Sequence, residues 1–457
     1  MVKMSLSDIA QACQGVLYGK DTDKISSVTI DSRLVEEGSL FIATKGERVD
    51  GHSFIPVAIE KGAVAVVSEK PCTISVPYIL VEDSFVALKA IAEYYRMRLS
   101  IPVVGITGSV GKTSTKEFIA AVLSEKFCTL KTQGNYNNEV GLPLTVLKIR
   151  REHEAAVLEM GISEFNEMHR LSKVAKPDIA VITNIGMCHL ENLIDRDGVL
   201  KAKTEIFDYL KEDGIVCLNG DDDKLITITG VKGRKPVFFG MGNNNDITVR
   251  DIVSHGLTGS ECVIITPQGE VKVNVPLPGE HMVLNALAAT AVGLSLGLSL
   301  SEIAEGISKV KPVSGRSNLI MTDKYNIIDD CYNANPVSMK AAIDLLKMAE
   351  TRTVAVLGDM FELGSDEVSL HTSVGMYVAE KNVDVLICVG NLSKNMYEGA
   401  LDFKKNNPEC KTHVYYYENQ EMLLKELNQI LMENDTVLFK ASHGMRFDEI
   451  IKKQGLQ

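Results

Sequence analysis

Residues 107–114 read Thr107-Gly108-Ser109-Val110-Gly111-Lys112-Thr113-Ser114. An apolar run at 103–107 precedes them, and helical periodicity follows from about 113 to 126. A glycine-rich loop between a buried strand and a helix is the setting of a phosphate-binding loop. The glycines let backbone N–H groups turn toward phosphate oxygens, and the helix N-terminus adds positive potential. On this reading Thr107, Gly108, Ser109, Val110, Gly111, Lys112, Thr113 and Ser114 bind ATP. Lys112 neutralises β- and γ-phosphate charge, and the Thr113 hydroxyl ligates Mg²⁺. The strict eight-residue pattern departs at one place, since Ile106 stands where its first glycine belongs. The alternative is a glycine-rich turn with a chance lysine; the agreement of strand, loop and helix weighs against it.

Working outward, apolar runs at 155–158, 179–183 and 215–218 alternate with helical stretches, the mark of a parallel sheet. Residues 247–275 turn strand-rich with Gly and Pro turns, and a long helix is predicted from about 282 to 296. Ahead of the loop, 25–30, 39–43 and 63–67 read as strands, and 54–61 and 86–99 as helices. Beyond residue 312, strands at 326–328, 354–357, 385–389, 413–417 and 436–439 are separated by helical stretches. That is a second doubly wound unit. The expected fold is therefore α/β in three domains: a small α/β N-terminal domain (1–98), a central P-loop parallel-sheet ATPase domain (99–311) and a C-terminal Rossmann-like domain (312–457). A chain of 457 residues also calls for about three cores.

Composition narrows the class. Hydrophobic residues make up 45% and charged residues 24%, a mix able to bury sizeable cores. The formal net charge of -12, with no basic stripe, argues against a nucleic-acid partner. Nine scattered cysteines, odd in number and without a C-x-x-C pair, fit reduced thiols of the cytosol. Residues 1–10 contain Lys3 and Asp8 and lack the apolar core of a signal peptide. The most apolar stretch, 286–300, is too short to span a bilayer, so no membrane insertion is expected.

Three residues downstream of the loop bear on chemistry. Glu159 follows the apolar run 155–158, and a carboxylate ending a buried parallel strand lies at the ligand edge of its sheet. It is placed to hold Mg²⁺ opposite Thr113, with an exposed strand-end acid as the alternative. His189 stands open between a metal ligand and an ordinary surface histidine. Lys203, in Lys201-Ala202-Lys203-Thr204-Glu205-Ile206-Phe207, reads on its own as a solvated helix lysine.

Four further stretches join the loop in a resemblance that covers essentially the whole chain. They are Asn135-Tyr136-Asn137-Asn138-Glu139-Val140-Gly141-Leu142-Pro143, Glu159-Met160-Gly161, Asp329-Asp330-Cys331-Tyr332-Asn333-Ala334-Asn335-Pro336 and Gly358-Asp359-Met360-Phe361-Glu362-Leu363-Gly364. Together they resemble the Mur ligases. The resemblance implies a cytoplasmic, monomeric enzyme that uses ATP and Mg²⁺ to join D-alanyl-D-alanine to UDP-N-acetylmuramoyl-tripeptide through an acyl phosphate. It implies metal positions at Thr113, Glu159 and His189, and a lysine carried as a carbamate at Lys203. It implies an adenine contact at Asn285, a phosphate contact at Arg316 and a ribose contact at Asp330. The catalytic set is then Lys112, Glu159, His189, Lys203 and Arg316. Substrate contacts fall on Ser32 and Arg33, whose alternative is a surface turn, and on Asn135, Asn137, Asn138, Asn333 and Asn335. This chain departs from the pattern at Cys331, where a serine is expected. It departs again at Ala441 and His443, where glycine and arginine are expected.

Overall fold

The structure, a computed structural model, describes residues 1–22, 24–47 and 49–453. Its strands form four sheets. The first holds β1 (Val16–Tyr18), β2 (Ser27–Thr29), β3 (Ser39–Ile42), β4 (Ala63–Ser68) and β5 (Tyr78–Leu80) in the order β1-β5-β4-β3-β2. The β1–β5 pair is antiparallel and the other pairs are parallel. The second holds β6 (Val103–Thr107), β7 (Thr129–Lys131), β8 (Ala155–Glu159), β9 (Ile179–Ile182), β10 (Ile215–Asn219) and β11 (Val237–Phe239). Its order is β11-β10-β9-β6-β8-β7, parallel throughout. A small antiparallel sheet follows: β12 (Thr248–Ser254), β13 (Ser260–Thr266) and β14 (Gly269–Val275). The last sheet is β15 (Asn318–Met321), β16 (Asn326–Asp329), β17 (Thr353–Gly358), β18 (Val385–Val389), β19 (His413–Tyr417) and β20 (Thr436–Lys440), ordered β15-β16-β20-β17-β18-β19. There β15 runs antiparallel to β16 and every other pair is parallel.

Every residue of β6, β8, β17, β18 and β20 is buried, as strands covered on both faces must be. On one side of the central sheet, Phe118, Ile119 and Val122 pack with Val283 and Leu287 of the helix Glu280–Ser295. On the other side, Leu142, Leu171, Val199 and Ile206 share a core that runs on into the first sheet through Leu88, Ile91 and Tyr95. Those three lie on the helix Ser84–Met97, which Asp83 caps by accepting from the N–H groups of Phe85 and Val86 at 2.7 and 2.9 Å. No helix among the described residues is long and apolar enough to cross a membrane, and all nine cysteines are free thiols.

The same helix ties the first sheet to the second through a buried charge. Arg96, 2% exposed, donates to the carbonyls of Ala175 (2.8 Å), Leu99 (3.1 Å) and Lys176 (3.1 Å) and to the Asp178 carboxylate (2.9 Å). Arg96→Ala removes that donor from the three carbonyls, while Asp178 keeps Val103 N–H and the Lys211 ammonium. The substitution is expected to destabilise the chain by about 3 kcal/mol, read as a lower denaturant midpoint.

Candidate active site

In the central sheet, β6 ends between β8 and β9, where the chain turns off to opposite sides. Ligands bind at such switch points, outside the carboxyl ends of the strands. The loop 107–114 lies there and closes against β9. A Cβ on Gly108 (φ +151°) would meet the Thr183 hydroxyl at 1.9 Å, and Gly111 (φ +84°) caps the helix Lys112–Leu123 in a left-handed conformation. Asn184 pins the loop: its carbonyl accepts from Ser109 N–H (3.0 Å) and its side-chain oxygen from Val110 N–H (2.9 Å). The Lys112 ammonium folds back onto the Gly108 carbonyl at 2.8 Å. Burial lowers its pKa, and Glu159 works against that shift.

Glu159 ends β8 and is 1% exposed. Its carboxylate accepts from the Thr113 hydroxyl at 3.0 and 3.1 Å and from the Asn137 amide at 2.9 Å, with the Lys116 ammonium 3.9 Å away. The burial rules out the exposed-acid alternative. Lys203 is also 1% exposed, so the solvated alternative fails there too. Among the described residues its ammonium has no hydrogen bond or ion pair. Burial, with the nearby Lys112 charge, lowers its pKa to about 8.

The last sheet supplies the opposite wall. Arg316 reaches across to donate to the Thr113 hydroxyl at 3.3 Å, and its guanidinium lies 3.7 Å above the centre of the Tyr332 ring. Asp330, just past β16, receives the Lys440 ammonium at 2.6 Å and Ser317 N–H at 3.0 Å. His189 pairs through Nδ1 with Glu362 at 2.7 Å, a second contact between the two sheets' loops. Both partners have left-handed backbones, φ +51° and +62°, which is uncommon outside functional loops. Burial lowers the pKa of His189 while Glu362 opposes.

These groups enclose one cleft of about 520 Å³. Of the sequence-derived residues, 109–114, Asn137, Asn138, Glu159, His189, Asn285, Arg316, Asp330, Asn333 and Asn335 line it. Thr107 lies buried beneath it at the end of β6. Gly108 stands behind the lysine, and Lys203, Asn135, Ser32 and Arg33 are outside the wall. Ser32 opens the short turn Ser32–Leu34, and Arg33 there is 85% exposed, forked onto Asp31. Asn138 and Asn335 have a second task. At the starts of the helices Gly141–Val146 and Pro336–Leu346, Asn138 accepts from Val140 and Gly141 N–H and Asn335 from Ser338 N–H.

Sequence reasoning missed Lys440, Tyr332 and Glu362 as site residues. Lys440 had a readable signal, since it ends an apolar strand as Glu159 does. Of the departures, Cys331 is buried with its thiol on the Phe439 carbonyl (3.4 Å), and the exposed His443 packs against Tyr332, ring centres 5.4 Å apart.

Three family models match successive parts of the chain. The sequence model of the Mur ligase middle domain matches residues 106–293, that of the Mur ligase glutamate ligase domain 315–443, and that of the Mur ligase family catalytic domain 24–105. The UDP-N-acetylmuramoyl-tripeptide–D-alanyl-D-alanine ligase of Bacillus subtilis (strain 168) is 40% identical, over 99% of this chain and 98% of the relative. The chain belongs to the Mur ligase family. Among solved Mur ligases, a crystal structure of MurF from Acinetobacter baumannii superposes with a TM-score of 0.89 at 31% identity, covering 100% of this chain and 99% of that one. MurF of Thermotoga maritima in complex with ADP gives 0.81 at 30%, covering 93% and 96%.

Proposed function

We propose that the chain joins D-alanyl-D-alanine to UDP-N-acetylmuramoyl-tripeptide, converting ATP to ADP and phosphate and forming UDP-N-acetylmuramoyl-pentapeptide for peptidoglycan synthesis. The observation that carries it is the convergence of strand-end groups from two sheets on one cleft: Lys112, Thr113 and Glu159 from one side, Arg316, Asp330 and Lys440 from the other. A carboxylate is a poor electrophile, so it must be activated. One oxygen of the tripeptide's terminal carboxylate attacks the γ-phosphorus; an O–P bond forms and the bond to ADP breaks. The dipeptide amine then attacks the acyl carbon, a C–N bond forms, phosphate leaves and the amine gives up a proton. Charge builds on the transferring phosphoryl oxygens, and cations fixed in a closed site stabilise it. Lys112 and Arg316 both line the cleft, one from each of the two sheets' sides.

The family implies Mg²⁺, and the donors here fit it. Glu159 and Thr113 offer hard oxygens beside the phosphate loop. Among the described residues no cluster of three or more His, Cys, Asp or Glu side chains is arranged to hold a metal. An ion there would be held by the Glu159 carboxylate, the Thr113 hydroxyl and the nucleotide's own phosphates, whose charge it would neutralise. His189, paired with Glu362 through Nδ1, would offer its other ring nitrogen to that ion as a further donor. Asn285 contacts adenine. Asp330 contacts ribose with the lone pairs that Lys440 and Ser317 leave free. Ser32 and Arg33 take the UDP end, and the asparagines of the two loops take the peptide.

The chain works as a monomer in the cytoplasm. Its cleft is completed by its own two sheets, its thiols are free, and both ATP and a UDP-linked precursor are cytoplasmic substrates. Phosphate release should require both UDP-N-acetylmuramoyl-tripeptide and D-alanyl-D-alanine. Equal release with either substrate omitted would overturn the assignment. Tyr332 positions Arg316 by stacking, so Tyr332→Ala should lower kcat about fivefold, equivalent to about 1 kcal/mol. KM for the UDP precursor should hold, and Tyr332→Phe should restore kcat.

A further inference from the structure

The motif at 358–364 leaves the end of β17, and none of its side chains carries a step of the reaction. Its own side of the cleft holds it firmly. The Asp359 carboxylate accepts from Ser393 N–H at 2.7 Å and from the Ser393 hydroxyl at 2.6 Å. Met360 N–H donates to His371 Nε2, and Phe361 N–H to the Ser442 hydroxyl, both at 2.9 Å. Met360 and Leu363 are buried. Between these anchors Glu362 takes its left-handed backbone, and its side chain stands 61% exposed. That conformation is unfavourable for a residue with a Cβ, so the anchors on either side impose it.

An exposed glutamate ordinarily faces water. This one meets His189, from the other sheet's loop, 2.7 Å from Nδ1. Among the described residues neither side chain has another hydrogen-bond or ion-pair partner. The His189 ring lines the cleft together with Thr113 and Glu159. Two bare acceptors repel at such a separation, so a proton lies on Nδ1, which leaves the lone pair of a neutral ring on Nε2. A carboxylate on the second nitrogen orients a ligating histidine, and removing it costs about 10–100-fold in metal affinity. Here that carboxylate belongs to the opposite wall of the cleft. The Arg316–Thr113 contact crosses the same gap, so two of the central sheet's metal donors are touched from the last sheet's side.

We propose that Glu362 is a positioning residue for His189, and that through it the metal donors of the central sheet are fully set only when the last sheet is docked. Undocked, the ring loses its one side-chain partner and is free to turn. Docked, the carboxylate fixes the ring and its proton together. Tight metal binding and closure of the cleft are thereby coupled, each favouring the other.

The proposal rests on reading the cleft as a site for ATP and Mg²⁺, and the experiment separates the two. ADP binding to the full chain is measured by calorimetry with and without Mn²⁺ as a probe for Mg²⁺. The quantity compared between variants is the factor by which the metal tightens ADP. Glu362→Ala should cut that factor at least about fivefold. Without metal, ADP should bind this variant within about twofold of the unaltered chain. Glu362→Gln, whose amide oxygen still accepts from Nδ1, should keep the factor within about twofold. In a His189→Ala background, Glu362→Ala should change it by less than about twofold, because the residue through which it acts is gone. The proposal is overturned, with the nucleotide site intact, if Glu362→Ala cuts the factor less than about fivefold or weakens metal-free ADP binding more than about twofold. It is overturned equally if Glu362→Gln, or Glu362→Ala in the His189→Ala background, changes the factor more than about twofold. An unaltered chain that binds no ADP, or binds it no tighter with Mn²⁺, overturns both readings.

Discussion

Lys112→Ala is expected to lower kcat for ligation by at least about a thousandfold, or about 4 kcal/mol of barrier, while the chain stays folded. Two facts set the size. The ammonium is held inside the phosphate loop, where burial already lowers its pKa, so little water is present to screen the phosphoryl charge in its place. Among the described residues its hydrogen bond is to the Gly108 carbonyl, a contact that phosphate oxygens would replace. The same fact makes the fold insensitive. The loop is held by Asn184 and Thr183 through backbone groups, and none of those bonds involves Lys112. Steady-state phosphate release beside thermal melting checks both halves. Activity within about tenfold of the unaltered chain, or about 1.4 kcal/mol, would remove Lys112 from the chemistry.

The loop was legible because its signal is local. Two glycines at fixed offsets, an apolar run before and a helix after leave few other conformations. Glu159 was legible for a related reason, since a charge that abruptly ends a buried strand has few places to go besides the ligand edge. The long parallel strands read well too, and their ends moved by only a residue or two. Apart from β2, the shortest strands did not read. β1, β5, β7 and β11 are three residues each, too short for any period to show, and they exist because a neighbouring strand offers them a ladder. The helix Leu6–Ala12 was passed over although Ser5 and Asp8 form a capping box at its start. The insertion of β20 between β16 and β17 is a tertiary fact, and it brings Lys440 onto Asp330. Glu362 could not be paired with His189 from sequence, because each sits in a left-handed loop whose direction only the packed sheets fix. Lys203 is the clearest case. Its neighbours Lys201 and Thr204 give the helix a polar cast, and only the packed structure turns Lys203 inward.

That inward turn gives the second large effect. Lys203→Ala should cost at least about a thousandfold in kcat, and short carboxylic acids such as acetate should recover about tenfold or more of it. An unpaired ammonium buried at 1% exposure is costly to keep charged, and the structure relieves it by lowering the pKa from 10.5 to about 8. At pH 7 about a tenth of such amines are neutral, against about one in three thousand at the ordinary value. The neutral amine is the form that adds to carbon dioxide and then loses a proton, leaving a carbamate in place of a cation. Such an anion would relieve the repulsion that the Lys112 charge imposes on a second cation there. Rescue tests this directly: an acid small enough to enter the space left by the side chain restores the negative oxygens, whereas amines of the same size restore the cation. If methylamine rescues Lys203→Ala and acetate does not, Lys203 acts as an ammonium. If the variant keeps within about tenfold of normal turnover, Lys203 has no part in the reaction.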